Sequence, residues 1–246
     1  MAISTNSIIH YTDSFKHLEL IIKEGFAIKY CSERFIIEGG TGSIAAHPMI
    51  SFCDIPLSQS FKHFDAYGKY GIGLSKDWAY EMGINPVWYI EKKSLIAKTL
   101  YEFLVDRRDA KSNLNAKQKS NILRLKCFIK NYSGHLKRKS IDNKNYRFYD
   151  EREWRLVPEK SDINGKSFSI DNSLYQKDKD KYNNKLSKVR FHFKPKDISY
   201  VIVDKTIEIP KMINILRVDY DTKCTAQELD ILFSKICSTE QILSDY

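Results

Sequence analysis

Short alternations of apolar and polar residues divide the chain into strands and amphipathic helices. Residues 8–12 place β-branched side chains before a polar end, which predicts a short buried strand. Phe15, Leu18 and Ile22 then recur at helical spacing, and Gly25 stands where such a helix would end. The chain is therefore expected to open with a strand followed directly by a helix.

The same patterns predict further short elements on both sides of a helical middle region. Strands are predicted at residues 48–56, 71–75, 86–90, 149–158, 189–193 and 198–203, and helices at residues 57–67, 76–82 and 225–236. Residues 31–47 contain a glycine-rich run and residues 160–185 are mostly polar, so both segments are predicted to be loops. This order of elements predicts an α+β fold with a mixed, split β-sheet core.

The middle region, residues 93–139, combines apolar residues at helical spacing with many lysines and arginines. We predict a basic helical insert within a single domain of residues 1–246. Two uses of such an insert are open at this point. It is either an ordinary amphipathic pair of helices with a solvated face or a surface that binds phosphates.

Composition and net charge limit the kinds of partner and the cellular compartment that we expect for this protein. The 246 residues carry a formal charge of +9 and a pI near 9.1, which favours an anionic partner such as DNA or RNA. No apolar run reaches the ~18 residues of a membrane span, and the first seven residues lack the features of a signal peptide. The five cysteines are scattered without C-x-x-C spacing, as is typical of reduced thiols. We therefore expect a cytoplasmic protein without a membrane partner.

The most informative stretch contains two glutamates, Glu151 and Glu153, at the entrance of the strand predicted for residues 149–158. In extended backbone, side chains two positions apart point to the same face, so the two carboxylates are expected to lie together. Two like charges at that distance repel and need a metal ion, a neighbouring cation or a chemical use. The nearby arginines 147, 152 and 155 make ion pairing one explanation.

Several segments in this order resemble known families. The H-x-T sequence His10–Tyr11–Thr12, followed by the helix, resembles the opening of ADP-ribosyltransferases, including their DNA-targeting branch, and residues 148–157 resemble their glutamate-bearing strand. Together with residues 51–58 and 70–75, these segments resemble the AbiGi group of bacterial abortive-infection proteins, which are commonly labelled as antitoxins of phage-resistance systems. The resemblance covers about residues 8–158.

The resemblance implies an ADP-ribosyltransferase-like core and an antiphage enzyme that uses NAD as a substrate to modify nucleic acid. Glu153 would hold the ribose of NAD and stabilise the developing positive charge, and Glu151 would orient or deprotonate the acceptor. The residues implied to bind NAD are His10, Tyr11, Thr12, Tyr67, Tyr70 and Ser75. No metal ion is expected in this site.

Two alternatives remain open from the sequence. The chain could be a non-catalytic antitoxin or sensor on a transferase-like scaffold, which binds a cognate toxin or antitoxin protein or nucleic acid. This alternative predicts a closed cleft in which arginines pair with Glu151 and Glu153. The other alternative is a magnesium-dependent nuclease, whose ligands would be Asp54, Asp150, Glu151 and Glu153.

Overall fold

The computed structural model describes residues 4–139 and 141–245 and has an α+β fold. Its strands are β1 (Ser7–Thr12), β2 (Phe26–Ala27), β3 (Lys29–Ile36), β4 (Gly42–Cys53), β5 (Tyr70–Ser75), β6 (Asn85–Pro86), β7 (Trp88–Ile90), β8 (Ile129–Asn131), β9 (Ser133–Arg138), β10 (Ile141–Arg147), β11 (Glu153–Leu156), β12 (Ile170–Asp171), β13 (Arg190–Phe191), β14 (Ile198–Val203) and β15 (Ile236–Ser238). Its α-helices are α1 (Phe15–Glu24), α2 (Phe61–Tyr67), α3 (Lys76–Glu81), α4 (Leu95–Asp106), α5 (Ala116–Cys127), α6 (Asn172–Lys177), α7 (Lys179–Asn183), α8 (Ile209–Tyr220), α9 (Ala226–Phe233) and α10 (Thr239–Asp245).

The main sheet is mixed, as the sequence predicts, and its strand order is β15-β14-β5-β1-β4-β11-β6. Strand β14 runs parallel to β15, and the other neighbours along this path are antiparallel. The long strand β4 also pairs with β3 and β12 through its first eight residues. Because β4 then pairs with β11 on one side and with β1 on the other through its last residues, it lies between the strand that carries Glu153 and the strand that carries His10.

Each face of this sheet carries its own hydrophobic core. Successive residues of a strand point to opposite faces. Ile8 and Phe52 accordingly belong to the larger core, whereas Ile9 and Tyr11 belong to a smaller one. Burial of apolar side chains on both faces fixes the register of β1, because a shift by one residue would exchange the two sets.

The predicted opening of the chain is confirmed as β1 and α1. The Ser14 hydroxyl accepts a hydrogen bond from the His17 N–H and caps the helix, and Leu18 and Ile22 are its buried residues. Gly25, with φ of 78°, ends the helix in a conformation that strongly favours glycine. The strands predicted at residues 71–75 and 198–203 are likewise confirmed as β5 and β14.

The two predicted loops were wrong over most of their length, although residues 160–169 contain neither a helix nor a strand. Residues 31–47 form most of β3 and the first half of β4, paired over eight residues, and the glycine-rich run only supplies the turn between them. Within residues 160–185 the chain forms β12, α6 and α7, and Tyr175 of α6 is buried. Both segments gain order from packing on β4, which local polarity does not reveal.

The basic insert is helical only in its first part. Helices α4 and α5 match the prediction, but the helix ends at Cys127 and Ile129 begins β8, which pairs in parallel with β7. Strand β9 then pairs with β10. The helical spacing of Phe128 and Ile129 is therefore misleading, because sheet pairing decides their conformation. Because the chain continues from α5 into β8, Lys130 lies on a strand, where it contacts the two glutamates.

Candidate functional site

Glu151 and Glu153 do converge, but not through the strand alternation that the sequence predicts. Glu151 ends a short 3-10 turn, Phe148–Glu151, and Glu153 begins β11. Arg152 between them has φ of 47°, in the left-handed region that residues other than glycine rarely adopt. This turn, rather than extended backbone, directs both carboxylates to the same cation.

The shared cation is Lys130. Its Nζ donates hydrogen bonds to Glu151 Oε2 at 2.7 Å and to Glu153 Oε2 at 2.9 Å. The exposed fractions of Glu151 and Glu153 are only 2% and 6%. Two buried carboxylates are tolerated here because a buried ammonium lies between them.

Every acceptor position of the Glu153 carboxylate is occupied within the protein. Oε1 accepts hydrogen bonds from the Ser51 hydroxyl at 2.6 Å and from Arg155 Nε at 2.8 Å. Oε2 accepts hydrogen bonds from Lys130 Nζ and, at 3.1 Å, from a terminal nitrogen of Arg155. A carboxylate has about four lone-pair positions, so this one is saturated.

Arg155 is fully buried and joins the cluster to the rest of the fold. One terminal nitrogen donates to the Cys127 carbonyl at 2.5 Å, and the other also pairs with Glu33 at 2.8 Å. The side chain thereby ties β11 to the end of α5 and to β3. Register places Arg155 opposite Ser51 and Glu153 opposite Cys53, so the two charged residues share a face of the sheet.

These contacts set the ionisation of the cluster. Burial alone would raise the pKa of Glu153, but the charges of Arg155 and Lys130 outweigh burial and hold the pKa well below its usual range. Burial would lower the pKa of Lys130, but Glu153 and Glu151 raise it well above its usual value. Glu153 is therefore ionised at all physiological pH values, and its pKa is far from that of a general base poised near neutrality.

Aromatic side chains close over the carboxylates. The Tyr67 hydroxyl donates a hydrogen bond to Glu151 Oε1, and the Arg138 guanidinium lies 4.4 Å from the centroid of the Tyr67 ring. Burial and the nearby charge of Glu151 raise the pKa of Tyr67, so its hydroxyl stays protonated. Lys130 Nζ lies 4.8 Å from the centroid of the Phe148 ring.

The implied NAD-binding residue His10 lies on the other side of the sheet from Glu153. Ile9 is opposite Cys53, which is opposite Glu153, so these three share one face and His10 points to the other. There its ring packs edge-on against Phe26 and Phe52. His10 Nδ1 lies 2.8 Å from the Ser51 carbonyl oxygen, so Ser51 is the link between the two sides.

The other implied NAD-binding residues have separate surroundings. The Tyr11 hydroxyl donates to Ser60 Oγ at 2.6 Å, and the Tyr70 hydroxyl donates to Glu208 Oε1 at 3.0 Å. Ser75 Oγ accepts from the Trp78 N–H and caps α3. Thr12 is half-buried and lies opposite Tyr70 in the β1–β5 pair. Of the six residues implied to bind NAD, the contacts above bring Tyr67 alone directly onto a glutamate of the cluster.

Of the partners that define the site, the sequence indicates Arg155 as one of three arginines that could pair with the glutamates, but it does not indicate Lys130 or Ser51. Arg155 could have been assigned from its position two residues after Glu153 in a strand, since such residues share a face. Lys130 gives no such signal, because the apolar spacing around it predicts a helix. Ser51 was part of the family resemblance, but nothing in its local sequence indicates a bond to Glu153.

The four carboxylates of the nuclease alternative do not come together. Asp54 bonds to Lys76 Nζ at 2.8 Å, whereas Asp150 is exposed and pairs with Arg147. Among the described residues, no group of three or more His, Cys, Asp or Glu side chains is arranged to hold a metal ion.

All five cysteines are free thiols. Within residues 4–139 and 141–245, no helix combines the length and apolarity needed to cross a membrane.

Comparison with known proteins agrees with the sequence resemblance. A family model described as "Putative abortive phage resistance protein AbiGi, antitoxin" matches residues 24–204. The chain belongs to the AbiGi family. It is 28% identical over 220 residues to the abortive phage resistance protein AbiGi of Lactococcus lactis subsp. cremoris, and the match covers 81% of this chain and 88% of the relative. No solved structure matches the chain significantly.

Membership of the AbiGi family confirms the predicted role in abortive phage resistance. The family match begins at residue 24, after the strand that carries His10, and it includes both glutamates and Lys130. The carboxylate cluster therefore lies within the part of the chain that is characteristic of AbiGi proteins.

Proposed function

We propose that this AbiGi-family chain acts as a non-catalytic antitoxin module that binds a partner toxin protein. The observation that carries the proposal is the saturated, ion-paired state of Glu153. A carboxylate that holds a ribose in the transferase reaction must offer an acceptor position to the sugar. Glu153 has none left, because Ser51, Lys130 and Arg155 occupy all of them.

Opening the site to a substrate would also be costly. Removing Lys130 or Arg155 from Glu153 would leave uncompensated charge in a buried place, at a cost of about 3–5 kcal/mol. The cluster instead has the properties of a structural anchor. It joins β11 to β3, to β8 and to the end of α5, and it stabilises a rigid scaffold on which an interaction surface can be displayed.

A suitable surface lies on α4. Ile96, Leu100 and Phe103 follow one another at positions i, i+4 and i+7, which places them on one stripe of the helix. Ile96 is 57% exposed and Phe103 is 52% exposed, although both are apolar. Leu100, between them, is half-buried against a small core cluster, so Ile96 and Phe103 provide the accessible apolar surface. A helix with exposed apolar residues on one side is the form that a protein partner binds in a hydrophobic groove. Because the AbiGi family is described as an antitoxin family, the partner that we propose for this surface is a toxin protein.

The experiment is co-expression with the cognate toxin, followed by growth measurement and co-purification. We expect Ile96→Lys together with Phe103→Lys to abolish toxin neutralisation and co-purification. Val218→Lys is the matched control, because Val218 is an apolar residue that is 79% exposed on a different helix, α8. Full neutralisation by the α4 variant, or failure of both variants alike, would refute the assignment of α4 as the toxin surface.

One observation favours a second candidate, an NAD-dependent ADP-ribosyltransferase acting on DNA or RNA. Ser51 contacts His10 through its carbonyl oxygen and Glu153 through its hydroxyl, so the histidine strand and the glutamate strand of the transferase resemblance flank one serine. The test is incubation of the purified protein with labelled NAD, with and without DNA or RNA. Label transfer or nicotinamide release that disappears in folded Glu153→Gln protein would replace the antitoxin proposal with the enzyme.

A further inference from the structure

A second concave site lies away from the carboxylate cluster, between the start of β4, the end of α4 and the last turns of α5. Its volume is about 160 Å³. Three cationic side chains line it, Arg107, Arg108 and Lys126, together with the Ser43 hydroxyl. Cavities that hold a drug-sized ligand begin at ~300 Å³, so this one has room for a small group rather than a whole large molecule.

The lining of this cavity carries more positive than negative charge, with three cations against one carboxylate, Asp171. In the described part of the chain, no Asp or Glu oxygen lies within ion-pair distance of Arg107, Arg108 or Lys126. The nearest acidic residue of the lining is Asp171, and its Oδ1 accepts hydrogen bonds from Ser173 and from the Leu174 N–H at the start of α6. Asp171 therefore caps α6 without an ion pair to the three cations, and its single charge leaves the lining with a net positive charge.

Lys126 is the most unusual of the three cations. It is only 5% exposed, and its ammonium group makes no hydrogen bond or ion pair with any described residue. Burial, reinforced by the charge of Arg108, lowers the pKa of Lys126 to about 8. Its Nζ keeps contact with solvent through the cavity, since it is not among the fully buried polar atoms that lack a partner. A mostly buried lysine without a protein partner still costs stability, and natural cores rarely contain one without a use.

Hydrogen bonds to neighbouring residues hold the side chains of both arginines in place. Arg107 Nε donates to the Lys119 carbonyl at 3.0 Å, and a terminal nitrogen of Arg108 donates to the Ser43 hydroxyl. These bonds orient the two guanidinium groups while leaving other N–H donors unused. A guanidinium group can donate two parallel hydrogen bonds to the oxygens of one phosphate group. The Lys126 ammonium adds a third positive charge to those of the two arginines.

We propose that this cavity binds a phosphate group, with the remainder of the ligand outside in solvent. Arg107, Arg108 and Lys126 supply the charge, and the Ser43 hydroxyl supplies a further hydrogen bond. The phosphate could belong to a free mononucleotide or to the 5′ end of a nucleic acid, since both present the same terminal group. This inference goes beyond the antitoxin proposal and does not depend on it.

The test is titration calorimetry of the purified full chain with inorganic pyrophosphate, AMP, a 5′-phosphorylated oligonucleotide and the same oligonucleotide without its 5′ phosphate. We expect saturable binding of the phosphorylated probes that weakens at least tenfold in Lys126→Met. Lys117→Met is the control, because Lys117 is an exposed lysine on the same helix. Tighter binding of AMP than of the phosphorylated oligonucleotide assigns the free nucleotide as the ligand, and the reverse order assigns the nucleic-acid end.

Three outcomes would overturn the proposal. The wild-type chain would bind none of the phosphorylated probes, or Lys126→Met would bind them as tightly as the wild type. Alternatively, Lys117→Met would lose as much affinity as Lys126→Met, which would show only general surface attraction. Circular dichroism of each variant separates loss of binding from loss of fold, and toxin neutralisation by Lys126→Met reports separately on the antitoxin role.

Discussion

Lys130 Nζ lies 2.9 Å from Glu153 Oε2, although the two residues are 23 positions apart in the chain. Lys130 reaches this position because the helix α5 ends at Cys127 and the chain continues as β8. The same ammonium group lies 2.7 Å from Glu151 Oε2. The carboxylate pair that resembles a transferase motif is therefore neutralised by a residue of the basic insert.

Lys130→Met should strongly destabilise the protein. Methionine fills a similar volume but leaves Glu151 without a cation, and Glu153 keeps only Arg155. We expect the free energy of unfolding to fall by about 3–5 kcal/mol, the usual cost of breaking a buried ion pair. Urea denaturation at pH 7 measures this loss. Lys144→Met, at an exposed position of β10, should change it by no more than ~0.5 kcal/mol, and equal effects of the two substitutions would contradict the structure.

Glu153→Gln should change how stability depends on pH. Arg155 and Lys130 hold the folded pKa of Glu153 below its unfolded value of ~4.3, so its contribution is fully present above that value and is lost as the pH falls. We expect the variant to be less stable than the wild type by about 3 kcal/mol at pH 7, with a gap that narrows below pH ~5. Unfolding curves at several pH values between 3.5 and 7 measure the gap. A gap that stays constant over this range would show that Glu153 is not ion-paired.

The left-handed backbone conformation of Arg152 restricts the residue types that its position tolerates. Glycine adopts φ of 47° without steric cost, whereas a β-branched residue does so only with considerable strain. We expect Arg152→Val to lower the free energy of unfolding by about 1–3 kcal/mol and Arg152→Gly to leave it within ~1 kcal/mol of the wild type. Thermal and urea unfolding of the two variants provide the comparison. If valine were tolerated as well as glycine, the turn before β11 would not have the geometry described above.

Lys126→Met should stabilise the unliganded protein. Burial and Arg108 lower the folded pKa of Lys126 to about 8, below its unfolded value of ~10.4, so at pH 7 the charged side chain opposes folding. We expect the free energy of unfolding to rise by about 1–3 kcal/mol at pH 7. The advantage should shrink between pH 8 and 10, because the folded wild type then loses the proton while the unfolded chain retains it. A variant that is less stable than the wild type at pH 7 would show that Lys126 has a compensating partner.

Local patterns in the sequence were sufficient for some elements and misleading for others. The β1–α1 unit was predicted correctly because its cap at Ser14, its apolar spacing and its terminal Gly25 act within a few residues of one another. Residues 31–47 were predicted as a loop, although they form a strand pair, because their order comes from contacts along β4. Ile129 was predicted in a helix, although pairing with β7 places it in a strand.

The sequence by itself determined the AbiGi family, the α+β class and the presence of two close carboxylates beside arginines. Those features depend on residue identity and on local periodicity. Only the tertiary structure decided that Glu153 is saturated by Ser51, Lys130 and Arg155, that His10 faces the other side of the sheet, and that Lys126 lies unpaired in a basic cavity. The reason is physical: charge neutralisation and burial act over a few ångströms in space, between residues that the chain separates by tens of positions.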